Sequence, residues 1–361
     1  MLFMVKIPLS RPIISDEMKN AAVLALENEK LVMGESVFKF EEEFARYIGT
    51  KYAVSVNSGT FALTSSLIAR GVKKNEPILT TPMSFIATAN SIIQAGGRPV
   101  FSDVEGNTGN IDPTLFGPKI RDVKGIVPVH LYGNPCNLEQ IYHQLKENDI
   151  FVIEDACQAH GAEYGGKKVG SIGDAGCFSF YSIKNMTVGG DGGMVTTNDE
   201  DLAEKVRILR DCGRIDKYKH SVVGYTARLN TINAAIGLIQ LRYLDDWNEK
   251  RKNTVSLYRS LIPKEHLLDE SVGSVHHIFA IKLKNRDKVS EHLNKCGIET
   301  GVHYPIPIHL QPIYRDLYGY KEGDYPISEA FSKEVLSLPL YPGIPDDDVE
   351  YVCECIAEMI D

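Results

Sequence analysis

Excess positive charge is missing from this chain: 39 lysines and arginines stand against 48 aspartates and glutamates, a net charge of −9. Without a general basic field, nucleic acid is not an expected partner, although a small phosphate-bearing molecule can still be held by a local site. Long apolar runs are also missing, and none approaches the roughly 20 residues a helix needs to cross a bilayer. The opening Met1-Leu2-Phe3-Met4-Val5-Lys6 has no charged start, apolar core and small-residue cleavage site of an export leader. The expectation is a cytoplasmic protein with no membrane partner. Paired cysteines are absent too. The seven cysteines (136, 157, 177, 212, 296, 353 and 355) are scattered and odd in number, which predicts reduced thiols, mostly in apolar surroundings, rather than a disulfide framework. Cys353 and Cys355, two apart in what reads as the terminal helix, point in different directions. Neither the adjacent His276-His277 nor any other pair has a metal-motif spacing together with a third ligand, so no metal is expected.

What is present is a composition 43% hydrophobic and 24% charged over 361 residues, which is globular and too long for one core of ordinary size. Helical and strand-like segments alternate, which predicts an α/β layered domain on largely parallel strands. Stretches 17–28 and 37–48 read as amphipathic helices, followed by a short buried strand at 52–56 and a helical segment at 61–70. Further strands are expected at 77–79, 99–101, 125–129 and 151–153, with a small-residue helix at 86–95. That is a doubly wound pattern. The texture changes near Trp247, where a charged helix over about 238–260 leads to a strand at 277–283, a helix at 288–295 and the proline-rich run Tyr304-Pro305-Ile306-Pro307-Ile308-His309. The predicted division is a large domain over 1–245 and a smaller α+β domain over 246–361.

The chemistry centres on Lys184, set between Cys177-Phe178-Ser179-Phe180-Tyr181-Ser182-Ile183 and the glycine cluster Gly189-Gly190-Asp191-Gly192-Gly193. A lysine at the mouth of a buried strand can be desolvated into a neutral amine, the form that Schiff-base chemistry requires. Pyridoxal phosphate needs such a lysine together with a carboxylate for the pyridine nitrogen, a phosphate cradle and a flat group over the ring. Asp155, at the end of the strand Phe151-Val152-Ile153-Glu154-Asp155, lies where open α/β sheets place their ligands; it also suits an N-cap for a following helix. Asn57-Ser58-Gly59-Thr60, at a strand-to-helix turn, offers amides, hydroxyls and a helix dipole to a phosphate, and is equally a plain N-cap. Ser179 supplies a further hydroxyl. Phe85, after the turn that follows the second strand, is either a stacking aromatic or core. Their conjunction, each group falling beside a strand end, is what points to one site.

With these residues in place, the chain resembles the sugar aminotransferase family called DegT/DnrJ/EryC1/StrS. The resemblance runs through Ile7-Pro8-Leu9-Ser10-Arg11-Pro12, Phe40-Glu41-Glu42-Glu43-Phe44, Asn57-Ser58-Gly59-Thr60, Pro128-Val129-His130-Leu131-Tyr132-Gly133, Glu154-Asp155-Ala156, Phe178-Ser179-Phe180, Lys184-Asn185 and Leu338-Pro339-Leu340-Tyr341-Pro342. It implies fold type I, an aspartate aminotransferase-like α/β architecture, with pyridoxal 5'-phosphate as cofactor. By position it implies Lys184 as the Schiff-base lysine, Asp155 against the pyridine nitrogen, Gln158 at the ring hydroxyl and Phe85 over the ring. Gly59, Thr60 and Ser179 would hold the phosphate beside Ser58. The family pattern differs at four places: Thr226-Ala227-Arg228 stands for the usual Asn-Tyr-Arg, Cys212 for a histidine, Ser182-Ile183 for a proline and a small residue, and Pro77 falls in a strand opening.

The reaction implied is amino transfer from an amino acid, by likeness L-glutamate, to a keto sugar carried on a nucleotide. Arg228, Tyr304 and His309 are candidates for the sugar or nucleotide, and Thr226 for a phosphate contact across a homodimer interface. A dehydratase on the same fold is the nearest alternative, but that branch carries histidine at the lysine position. A non-catalytic binder would need no pairing of Lys184 with Asp155.

Overall fold

The computed structural model describes residues 6–145 and 149–360; the run Met1–Val5, read above for a leader, lies outside the described residues. Seven strands form the central sheet: β1 (Tyr52–Val56), β2 (Pro77–Thr80), β3 (Arg98–Phe101), β4 (Gly125–Ile126), β5 (Phe151–Asp155), β6 (Ala175–Ser179) and β7 (Gly193–Thr197). Their order across the sheet is β1-β7-β6-β5-β4-β2-β3. From β6 to β3 all neighbours are parallel, whereas β7 runs antiparallel to both β1 and β6. The reversal of β7 matters for function. Its first residues lie at the same edge as the ends of β1, β5 and β6, with Gly193 paired to Val56 and to Ser179. Loops from these four strands therefore meet at one edge, the place where open α/β sheets bind ligands.

Helices cover the sheet by burying apolar faces against it. In α2 (Glu35–Ile48), after α1 (Asp16–Asn28), Val37, Phe40, Phe44, Ala45 and Ile48 are buried at helical spacing, and Gly49 ends the helix with φ 86°. Phe40 and Phe44 pack on Phe178 and Phe180, with ring centroids 5.1 to 5.5 Å apart. Side chains alternate across a strand, so Phe178 and Phe180 face this cluster while Ser179 faces the ligand edge. Alternation also separates Glu154 from Asp155. Glu154, fully buried, accepts the amides of Gly170 (2.8 Å), Ile172 (2.8 Å) and Gly173 (2.7 Å) and the Nε2–H of His130 (3.1 Å).

The predicted boundary near 246 falls inside one 31-residue helix, which with α3 (Gly59–Ala69), α4 (Ala87–Gln94), α5 (Leu138–Leu145) and α6 (Glu200–Arg210) before it is α7 (Thr231–Leu261). At about 1.5 Å per residue α7 is long enough to serve two cores. Leu244 packs in the core around Phe40 and Phe44, and Val255 and Tyr258 pack with Phe279, Ile281, Leu293 and Val352 in a C-terminal core. That second core sits on the antiparallel pair β8 (Phe279–Lys282) and β9 (Val335–Leu338), with α8 (Arg286–Lys295) and α11 (Asp346–Ala357) packed on it, whereas α9 (Pro312–Tyr318) buries Tyr314 against Phe101 and α10 (Pro326–Glu334) buries Phe331 with Leu131 and Ala280. Ile7 belongs to this C-terminal core, although the sequence division placed it with the large domain. All seven cysteines are free, and Cys212 is exposed. Among the described residues no helix is long and apolar enough to cross a membrane.

Candidate active site

A cavity of about 480 Å³ opens at the ligand edge of the sheet, lined among others by Ser58, Gly59, Thr60, Phe85, Asp155, Gln158, Ser179, Lys184 and Tyr304. Its size falls in the range of sites for small organic ligands. Nine of the sequence-derived residues therefore meet in one place. Three do not.

His309 is a correction. Its side chain is fully buried away from the cavity, 4.8 Å from the Tyr325 ring, with Nε2 3.0 Å from Glu329 Oε1. It ties the loop before α9 to α10, and a group so enclosed cannot touch a sugar. Arg228 lies in a recess of about 540 Å³ that shares Ser58 and Asp191 with the main cavity, and its guanidinium is paired with Asp211. Thr226 is exposed and outside both, with Oγ1 3.4 Å from Cys212 Sγ.

The anion cradle is built by α3. Ser58 caps the helix by accepting the Phe61 amide (3.1 Å), which leaves the first-turn amides of Gly59 and Thr60 without intrahelical acceptors and facing the cavity with the positive end of the dipole. Glycine at 59 is required by closeness: a Cβ there would fall 2.7 Å from Ser179 Cβ and 2.9 Å from Cys157 Sγ. Gly193 is required likewise, since a Cβ would meet the Ser58 carbonyl oxygen at 2.4 Å. These two positions press the turn after β1 against the ends of β6 and β7.

Asp155 is buried at the end of β5, where its Oδ2 accepts the Thr88 hydroxyl (2.7 Å) and its Oδ1 the Cys157 amide (3.2 Å). Both bonds fix the carboxylate toward the cavity. Gln158 is oriented the same way: its Oε1 accepts the Tyr132 amide (2.8 Å), so Nε2 points inward and donates to the Tyr304 hydroxyl (3.1 Å). Phe85 stands on the rim, 57% exposed, with its ring 6.1 Å from that of Tyr304.

Lys184 sits in a turn after β6, its amide bonded to the Tyr181 carbonyl (2.9 Å). Burial pulls its amine below the ordinary lysine pKa, and Cys157 and Asp155 only partly restore it. Its Nζ lies 3.5 Å from Nε2 of His277. Sequence reading weighed His277 only as a possible metal ligand beside His276 and missed this role; no local spacing signals it, because Asn185 brings the two together across the fold. His303, held down to about 4 by burial and then by Lys184, also lines the cavity.

The donor set fits pyridoxal phosphate: helix amides and hydroxyls for the phosphate, a fixed carboxylate for the pyridine nitrogen, an inward amide for the ring hydroxyl, and a desolvated amine. Comparison with known proteins agrees. A family model for the DegT/DnrJ/EryC1/StrS aminotransferase family matches residues 12–357. The chain is 40% identical over 348 residues to a pleiotropic regulatory protein of Geobacillus stearothermophilus, covering 92% of each. It is 39% identical over 345 residues to dTDP-3-amino-3,6-dideoxy-alpha-D-galactopyranose transaminase of Aneurinibacillus thermoaerophilus, covering 94% of each. Among solved structures, S. venezuelae DesV in complex with a ketimine intermediate superposes with a TM-score of 0.91 at 34% identity, over 96% of this chain and 95% of that one. The chain belongs to the DegT/DnrJ/EryC1/StrS aminotransferase family, fold type I enzymes whose cofactor is pyridoxal phosphate.

Proposed function

We propose that this protein transfers an amino group from an amino acid donor, L-glutamate, to the keto carbon of a sugar linked to a nucleotide. The observation that carries the reading is the convergence of a desolvated Lys184 with Asp155, Gln158 and the α3 amides in one cavity. Pyridoxal phosphate, when bound, supplies an electron sink for the carbon that loses its proton. The protein does the rest. Gly59, Thr60 and Ser179 would hold its phosphate, Asp155 would keep a proton at its pyridine nitrogen, and Gln158 would orient its ring hydroxyl. Lys184, as a free amine, takes the proton from the donor's α-carbon and returns it on the other side of the transfer. The second half of the reaction runs the same proton steps backwards onto the keto sugar. Phe85 and Tyr304 wall the entrance, where aromatic rings suit the faces of a cofactor or sugar ring.

The regulatory name of one relative favours no change of reading, because a regulator that only binds a ligand has no need of the Lys184 and Asp155 pair. A lysine at 184 also disfavours the dehydratase reading, whose branch carries histidine there. The purified protein, supplied with L-glutamate and a panel of dTDP- and GDP-linked 3-keto and 4-keto sugars, is expected to convert one ketone to an amine, read by mass. Failure with every keto sugar while the cofactor stays bound would sink the proposal. Thr226, exposed outside both cavities, and Arg228, in the neighbouring recess, are proposed to serve the neighbouring site of a homodimer. Light scattering on the intact protein tests it, and a monomer at working concentration overturns it.

A further inference from the structure

Far from the cavity, the C-terminal ends of α8 and α11 bring together four side chains with metal-ligand chemistry. His292 and Cys296 are four residues apart and share a face of α8 and its cap; Cys355 and Glu358 are three apart on α11 and its cap. Donor atoms of His292, Cys296 and Cys355 all lie within 4.8 Å of one another. Cys296 Sγ is 3.7 Å and Glu358 Oε2 is 3.1 Å from the same His292 Nε2. A single N–H on Nε2 can serve only one of these neighbours, whereas a cation among the donor atoms of His292, Cys296 and Cys355 would satisfy all three at once. Zinc bonds of about 2.3 Å to sulfur and about 2.0 Å to nitrogen or oxygen make tetrahedron edges of roughly these lengths.

We propose that His292, Cys296 and Cys355 bind a structural zinc(II) ion that pins the end of α8 to the end of α11, with the exposed Glu358 carboxylate swinging off His292 to close the fourth position. Two thiolates and an imidazole select a borderline-soft cation over magnesium or calcium, and four protein ligands leave no open position for catalysis. Binding exchanges the two thiol protons for the metal and releases them to solvent. Cys355 is buried, Cys296 half-buried and the Glu358 carboxylate 66% exposed, so an ion can enter from the Glu358 side. Spacing along the chain predicted no metal because the partner of the His292 and Cys296 pair comes from a different helix, joined only by the fold.

The test uses the full-length holoenzyme, kept reduced and stripped with a chelator, then titrated with zinc(II) against a chromophoric competitor, and separately with cobalt(II). Expected are stoichiometric zinc, a sulfur-to-cobalt charge-transfer band and a thermal midpoint that rises with zinc, with the visible absorption of the lysine-bound cofactor unchanged. Cys355→Ser should lose the band. Because Cys355 is buried, the half-exposed His292→Asn and Cys296→Ser are tested beside it and should also lose it, and Glu358→Gln should bind about tenfold more weakly. A wild-type chain that takes no zinc, or variants that bind as wild type does, would overturn the site. So would failure to bind zinc combined with a Cys296 to Cys355 disulfide under mild oxidation, which would make the pair a redox clip instead.

Discussion

Lys184 Nζ faces the unprotonated nitrogen of His277. Asn185 Nδ2 donates to Asn248 Oδ1 (2.9 Å) and to the Val275 carbonyl (3.0 Å), so its Oδ1 must accept, and the Nδ1–H of His277 donates to it (3.2 Å). The remaining lone pair, on Nε2, then points at the lysine amine 3.5 Å away. Burial, followed by the nearby Lys184, pulls His277 well below the usual histidine pKa, so the acceptor form persists through the neutral range. His277→Leu removes the acceptor without adding charge. We expect kcat to fall about tenfold to a hundredfold, the order that misplacing a reacting group costs, with little change in KM for the nucleotide sugar. His277→Gln, which keeps an acceptor, should recover part of the loss. Equal activity in all three proteins would show that His277 does not position the lysine.

Lys184→Ala should abolish amino transfer and the visible absorption of the lysine-bound cofactor, while the phosphate cradle of α3 still retains the cofactor. Wild type carries a second signature. Because burial lowers the Lys184 pKa below its ordinary 10.5, the pH limb for recombination of apoenzyme with cofactor should lie below that of a solvated lysine. A limb at the ordinary lysine value would mean that the amine is not desolvated.

Much of this site could be read before folding because its parts sit beside strand ends with local signals. Tyr52–Val56 is apolar and ends at Asn57-Ser58-Gly59, and the structure makes it a strand with those bounds followed by a helix capped at Ser58. Other parts left no local mark. Gly193–Thr197, behind Gly189, Gly190 and Gly192, does not announce a strand, yet its reversed direction brings Gly193 to the edge where Ser179 ends β6. The start of α7 was missed because Thr231–Gly237 is small and neutral; Asn230 caps it by accepting the Asn233 amide. His309 was misplaced because a proline-rich loop looks alike whether its histidine faces a ligand or, as here, a ring of tyrosines.

Thr88 was not singled out in the sequence, although its hydroxyl holds one oxygen of Asp155 at 2.7 Å and in turn lies 2.8 Å from the Ser84 hydroxyl. Thr88→Val keeps the shape and removes the donor. A hydrogen bond to a charged group contributes about 1.5–3 kcal/mol, so a loss of that order in cofactor affinity, roughly tenfold or more, is expected by equilibrium dialysis. Thr88→Ser should bind nearly as wild type does. Unchanged affinity in the valine variant would show that the Cys157 amide suffices to aim Asp155.

Glu154 tests the scaffold beneath the site without touching it. Burial pushes its carboxyl up, but the His130 N–H and the amides of Gly170 and Gly173 outweigh that and hold it below the ordinary 4.5. His130 can donate because its Nδ1 accepts the Cys136 amide (3.2 Å), which selects the tautomer with the proton on Nε2. A carboxyl depressed on folding stabilises the native state above its unfolded pKa, and that contribution is lost as the pH falls through the folded value. Glu154→Gln replaces an acceptor of four bonds by an amide whose NH₂ must face one of those donors. The expected cost is about 3–5 kcal/mol at neutral pH, the order for breaking a buried charged network. The gap from wild type should narrow as the pH drops below about 4.5. Urea unfolding at neutral pH and at progressively lower pH measures it. A gap that stayed constant down to acid would mean that Glu154 is already protonated in the native protein, and that its oxygens hold the 170–173 turn as a neutral acid.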